Sequence, residues 1–117
     1  MTATYDFTID QGITFAKTFY WKVREDPLDD DSPLIPINMT GMTAHMAIRT
    51  RDGLPIAEPL CTVNGSEGEI VVGLPHTVTG ALDFDTAIHD LDVWQDGVPI
   101  KRLLVGQVTL QKDVPDV

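Results

Sequence analysis

The run AIHDLDVWQDGVPIKRLLVGQVTL, residues 87–110, alternates on both sides of one Asp-Gly step. His89, Leu91 and Val93 share one parity; Asp90 and Asp92 share the other. That is the period of a half-buried strand. Asp96-Gly97 is a strong signal for a tight hairpin turn, in which Gly97 is expected to take a positive φ where a Cβ is costly. Residues 99–110 then return as a long partner strand. Gly106 interrupts this return strand, which points to a bulge or to the close approach of another backbone. Two strands alone are marginal in water, so the hairpin predicts a larger sheet.

Working outward, the same pattern recurs. Residues 42–49 place Ala44, Met46 and Ile48 on one face and Thr43, His45, Ala47 and Arg49 on the other. Residues 69–74 are a β-branched run. Residues 55–63 are a weaker strand, which Pro59 confines to an edge or a bulge. Turn signals at Arg51-Asp52-Gly53 and residues 64–68 separate these runs. Near the start, Tyr5, Phe7 and Ile9 alternate with Asp6 and Thr8. After Gln11-Gly12, Phe15, Phe19, Trp21 and Val23 share a parity that Lys17 interrupts. The Gln-Gly step either joins these two runs as a hairpin or carries the chain from one sheet to another. Residues 75–82 alone read as helix, one or two turns with Pro75 in the first turn and Val78 and Leu82 on one face. About seven strands with turn signals every 8–12 residues predict a single all-β domain over residues 1–117, an immunoglobulin-like β-sandwich with one short helix. Its predicted core is Phe15, Phe19, Met46, Ile48, Val72, Leu91, Val93 and Val108.

Composition bounds the function. The chain has 117 residues, 43% hydrophobic and 22% charged, with one cysteine and a formal net charge of −10. Such a charge repels nucleic-acid phosphates and anionic membranes, so neither is expected as a partner. No apolar run approaches the ~20 residues of a membrane span. The N-terminus has no basic, then apolar, signal pattern. A lone Cys61 precludes an internal disulfide and fits folding in a reducing compartment.

Residues 24–38, REDPLDDDSPLIPIN, hold three prolines and five acidic residues and read as a surface loop. Leu34, Ile35 and Ile37 are too apolar for a purely solvated loop. They either fold back over the open end of the sandwich or dock a partner with a basic rim.

Three stretches in order, YDFTIDQGITFAKTFYWK (5–22), MTGMTAHMAIRT (39–50) and IHDLDVWQDGVPIKRLLVGQVTLQKDV (88–114), resemble a widespread family of small tailed-bacteriophage virion proteins. They are also similar to the N-terminal domain of siphophage upper-baseplate proteins. Met42 and His89 stand where that family has tyrosines, and the acidic loop is longer than is usual there. The resemblance implies a virion protein made in the bacterial host cytoplasm, a tail, baseplate or fibre-attachment component assembled symmetrically in many copies among other virion proteins. The alternative is a capsid-decoration or host-adhesion module, for which Trp21 and Trp94 are the available aromatic platform.

No constellation reads as catalytic. Asp29, Asp30 and Asp31, with Glu25 and Asp26, are contiguous and lack the spacing and turn glycine of a calcium loop. Asp83, Asp85, Asp90 and Asp92 include a strand-face pair of the kind glycosidases use, but also read as the polar face of a sandwich. His45, His76 and His89 lack zinc spacing, and His89 reads as a partly buried histidine with a local partner. Cys61 reads as a small core residue. The expectation is a non-enzymatic protein without metal or cofactor.

Overall fold

A computed structural model describes residues 2–112. The described chain is all-β apart from one helical turn and one 3₁₀ turn. Its strands are β1 (Ala3–Thr4), β2 (Phe7–Asp10), β3 (Phe15–Tyr20), β4 (Lys22–Arg24), β5 (Leu34–Pro36), β6 (Met42–Arg49), β7 (Pro55–Ala57), β8 (Leu60–Asn64), β9 (Glu69–Leu74), β10 (Thr86–Gln95) and β11 (Val98–Gln111); α1 is His76–Thr79. These exceed the seven expected runs because two of the runs split and short pieces join the edges.

The larger sheet runs β11-β10-β6-β7, with β1 and β2 both parallel to β11 along its outer edge. The smaller sheet is β3-β9-β8, antiparallel throughout. The β10–β11 hairpin is the one read from sequence. Asp96 and Gly97 take φ of 54° and 77°, the doubly positive turn that matches strand twist. Its two irregularities fall after Leu91 and after Val93, where Leu103 and Ile100 are left over. Gly106 is not a bulge. It is the close-approach site, for a Cβ there would sit 2.0 Å from the Tyr5 carbonyl oxygen.

Two breaks make the sandwich. The Gln11-Gly12 step does not form a hairpin; β2 lies in the large sheet and β3 in the small one. Gly12 has φ of 82°, and Gln11 anchors the crossing with an Nε2–H bond of 2.8 Å to the Leu82 carbonyl. The run 55–63 likewise breaks at the buried Pro59. Its first part, β7, stays with β6 and its second part, β8, pairs with β9. Proline cannot donate to a ladder, so the chain changes sheets there.

Between the sheets Ile9, Met46, Ile48, Ile70, Val72, Leu91, Val93 and Val108 are almost wholly buried. Each such side chain contributes about 1.5–3 kcal/mol of transfer free energy. Phe15 and Phe19, expected in this core, are only half-buried at its rim. Their strand β3 is an edge of the small sheet, so one flank of each ring is open. Directly opposite Val72, Lys17 points the same way from that edge and holds its ammonium 5.3 Å from the Tyr5 ring centre. An inward charge on an edge strand obstructs pairing with a further strand, which accounts for the broken parity of this run. In α1 the buried residue is Thr79, whose hydroxyl donates to the Ile13 carbonyl at 2.8 Å. Val78 is exposed while Leu82 is buried, so the expected shared face is not formed.

Candidate functional site

Residues 24–38 lie on the surface and residues 25–33 are turns, as expected of a loop, but Arg24 and Leu34–Pro36 are strand, so the segment forms an arm. The run 13–23 breaks at Trp21, and β4 leaves the small sheet to pair, among the described residues, only with β5. The register puts Val23 opposite Ile35 and Lys22 opposite Pro36. The Ile37 amide donates to the Trp21 carbonyl at 2.9 Å, which extends the ladder inward. One face of this ribbon is therefore apolar from Trp21 and Ile37 at the base to Val23 and Ile35 beyond. The base residues pack against the core. Val23, Ile35 and, on the opposite face, Leu34 are exposed by 42%, 40% and 54%. Of the three proposed docking residues, Leu34 and Ile35 stand in solvent and Ile37 is half-buried at the arm's root. All six strand residues of the arm are exposed.

The arm's apex is held by its own polar groups. Ser32, only 8% exposed, donates its hydroxyl to the Asp26 carbonyl at 3.0 Å and accepts the Asp26 amide at 3.2 Å. Arg24 reaches the Ser32 carbonyl at 2.8 Å. Asp26 and Asp29 turn their carboxylates onto the amides of Leu28 and Asp31, the usual role of Asp in a turn. The carboxylates of Glu25, Asp30 and Asp31 have no ion pair or hydrogen bond among the described residues. Leu28, at the apex among these acids, is 96% exposed.

The other candidate groups are engaged in the fold. Asp90 receives Arg49 at 2.7 Å, and Asp92 receives Arg102 through two nitrogens at 2.9 and 3.3 Å. The Asp92 hydrogen bond, then the charges of Asp92 and Asp90, push the Arg102 guanidinium further up. Asp83 and Asp85 sit beside Lys112 at 3.5 and 3.2 Å, and the hydrogen bond to Asp85 leads in raising that ammonium. His89 is buried and bonds the Tyr5 carbonyl, a partner distant in sequence and not local as expected. His45 lies edge-on to Trp94 at 5.0 Å, and His76 begins α1. Cys61 is half-buried directly opposite Val72 on the neighbouring strand, and burial raises its thiol above the ordinary value. Trp21 packs on the core and Trp94 has a buried indole nitrogen, so neither ring stands free as a flat platform. Among the described residues no three His, Cys, Asp or Glu converge as metal ligands, and no helix is long and apolar enough to cross a membrane.

A groove lies between the arm's root and the distal part of β11. Its floor is Phe19, Trp21, Leu103 and Leu104, its rim carries Lys22 and Lys101, and its volume is ≈ 280 Å³. Among the described residues no strand pairs with residues 98–103 of β11 on that edge, where the Thr2 hydroxyl donates to the Arg102 carbonyl at 3.2 Å. The ribbon register was legible in the shared parity of Trp21 and Val23, and of Ile35 and Ile37; the prolines and acids between them masked it. The groove had no sequence signal, because the fold brings its two strands together. No protein-family model matches the chain, and no curated protein matches it.

Proposed function

We propose that this chain is a non-enzymatic structural protein of a bacteriophage particle, a tail, baseplate or fibre-attachment component assembled in several copies. The observation that carries the reading is the arm. A two-stranded ribbon with apolar side chains in solvent on both faces has little reason to persist in a monomer. Its cost is offset when a neighbouring subunit covers it. The resemblance of residues 5–22, 39–50 and 88–114 to small virion proteins supplies the setting. The titratable groups support the same reading, since the paired carboxylates are bound to arginines and a lysine. Assembly then proceeds by protein–protein contact, with no nucleic acid or membrane as partner.

The test replaces Leu34 and Ile35 with Ser in the full chain. The variant keeps its circular dichroism spectrum and is missing from assembled phage particles. Normal incorporation overturns the docking role of the arm.

A further inference from the structure

We propose that the arm's partner is a second copy of this chain, with the acidic apex around Leu28 of one copy seated in the groove between Trp21 and Leu103 of the next. This rests on the reading of the arm as a docking element and names its occupant. The chain has 8 Lys and Arg against 18 Asp and Glu. Arg49, Arg102 and Lys112 already hold carboxylates, and Arg24 and Arg51 bond neutral oxygens. Lys17, Lys22 and Lys101 have no carboxylate partner among the described residues; Lys17 lies over the Tyr5 ring, whereas Lys22 and Lys101 both line this one groove.

The arm's apex is the complement. Leu28 is the most exposed large apolar side chain described, flanked by the unpaired carboxylates of Glu25, Asp30 and Asp31. An apolar knob ringed by acids matches an apolar floor rimmed by ammonium groups, and opposite charge around a dry centre fixes both register and partner. The contact is between copies. Lys22 and Trp21 lie at the arm's own root, from which β4 carries the apex away. Because the two surfaces differ, the contact is of the head-to-tail type, which closes into a ring or, if reciprocal, into an arm-exchanged pair.

The experiment uses sedimentation of the full chain at low ionic strength. Wild type associates with rising concentration, and added salt weakens association as it screens the charges. Leu28→Asp weakens self-association by about tenfold or more. A charge-reversed apex, Asp30→Lys with Asp31→Lys, and a charge-reversed groove, Lys22→Glu with Lys101→Glu, each give a monomer with an unchanged circular dichroism spectrum. Mixing the two reversed variants restores association, because each arm then meets a groove of opposite sign. Misfolding cannot mimic that rescue. A wild-type chain that stays monomeric at ~1 mM, or reversed variants that fail to associate when mixed, overturns the second copy as occupant. The reading as a particle component is then still decided separately by incorporation of the Leu34 and Ile35 variant.

Discussion

His89 donates its Nε2 proton to the backbone carbonyl of Tyr5, and the bond passes over Gly106, its direct cross-strand partner. β1 and β2 keep one register along β11, and Tyr5 and Asp6 are the gap between them. There the Gln107 amide is taken by the Asp6 carboxylate at 2.8 Å, which frees the Tyr5 carbonyl to turn inward. The Phe7 ring, 4.7 Å away, covers the imidazole. Gly106 is thus required by space and not by φ.

Gly106→Ala places a methyl group on the Tyr5 carbonyl and detaches the β1–β2 edge. The expected cost is about 3 kcal/mol or more, the upper range for overpacking against backbone. His89→Ala leaves that carbonyl buried without a donor, at about 1–3 kcal/mol plus the cavity. Chemical denaturation of both variants checks this; midpoints equal to wild type would show that the edge does not depend on the bond.

Ile48 and Leu91 are wholly buried on neighbouring strands, whereas Leu60 is 75% exposed. Ile48→Ala and Leu91→Ala are each expected to cost about 2–5 kcal/mol. Leu60→Ala, on the outer side of β8, is expected to stay within about 0.5 kcal/mol. Equal melting temperatures for all three variants would mean that the two faces have been exchanged.

Gly97 holds φ of 77° with open space around its Cβ position. Only backbone strain opposes a side chain there, and a β-branched one most. Gly97→Val should therefore destabilise by about 1–2 kcal/mol, while Gly97→Asn should cost much less. Denaturant midpoints in that order confirm the turn; no difference between the two refutes it.

What was legible in the sequence followed side-chain period. β6, β9 and the β10–β11 hairpin stand where alternation placed them, because one face of each is buried and the register shift of one residue is penalised. What was hidden lay in pairings that leave no period. β1 is two residues long, and its parallel partner β11 is at the other end of the chain. Phe15 and Phe19 have core parity, but an edge strand does not enclose them. The apex of the arm was legible as acidic, while the Lys22–Lys101 rim that complements it joins residues far apart in sequence.

Cys61 tests burial through its chemistry. Burial raises its thiol above the ordinary value, against a smaller lowering by the Met46 backbone. A folded value above the unfolded one contributes stability that is full below the unfolded value and is lost as pH rises through the folded one. Alkylation at pH 8 should be slow in the native chain and fast in denaturant, since only the thiolate reacts. Cys61→Ala should flatten the loss of stability as pH rises past the ordinary thiol range. Rapid native alkylation would place the thiol in solvent.

Ser32 decides whether the arm keeps its shape in the free chain. Its hydroxyl closes the apex against both backbone groups of Asp26, and it is the one buried residue between positions 22 and 36. Among the described residues the arm's strands pair only with each other, so their stability is local and separable from that of the sandwich. Ser32→Ala should therefore leave the global melting temperature within a few degrees of wild type. It should raise hydrogen exchange at the Glu25 amide, which bonds the Pro33 carbonyl, and along β4 and β5. The amides of β6 and β10 should be unaffected. If exchange rises equally in β10, the arm is part of the cooperative core, and its exposed side chains are structural in the single chain.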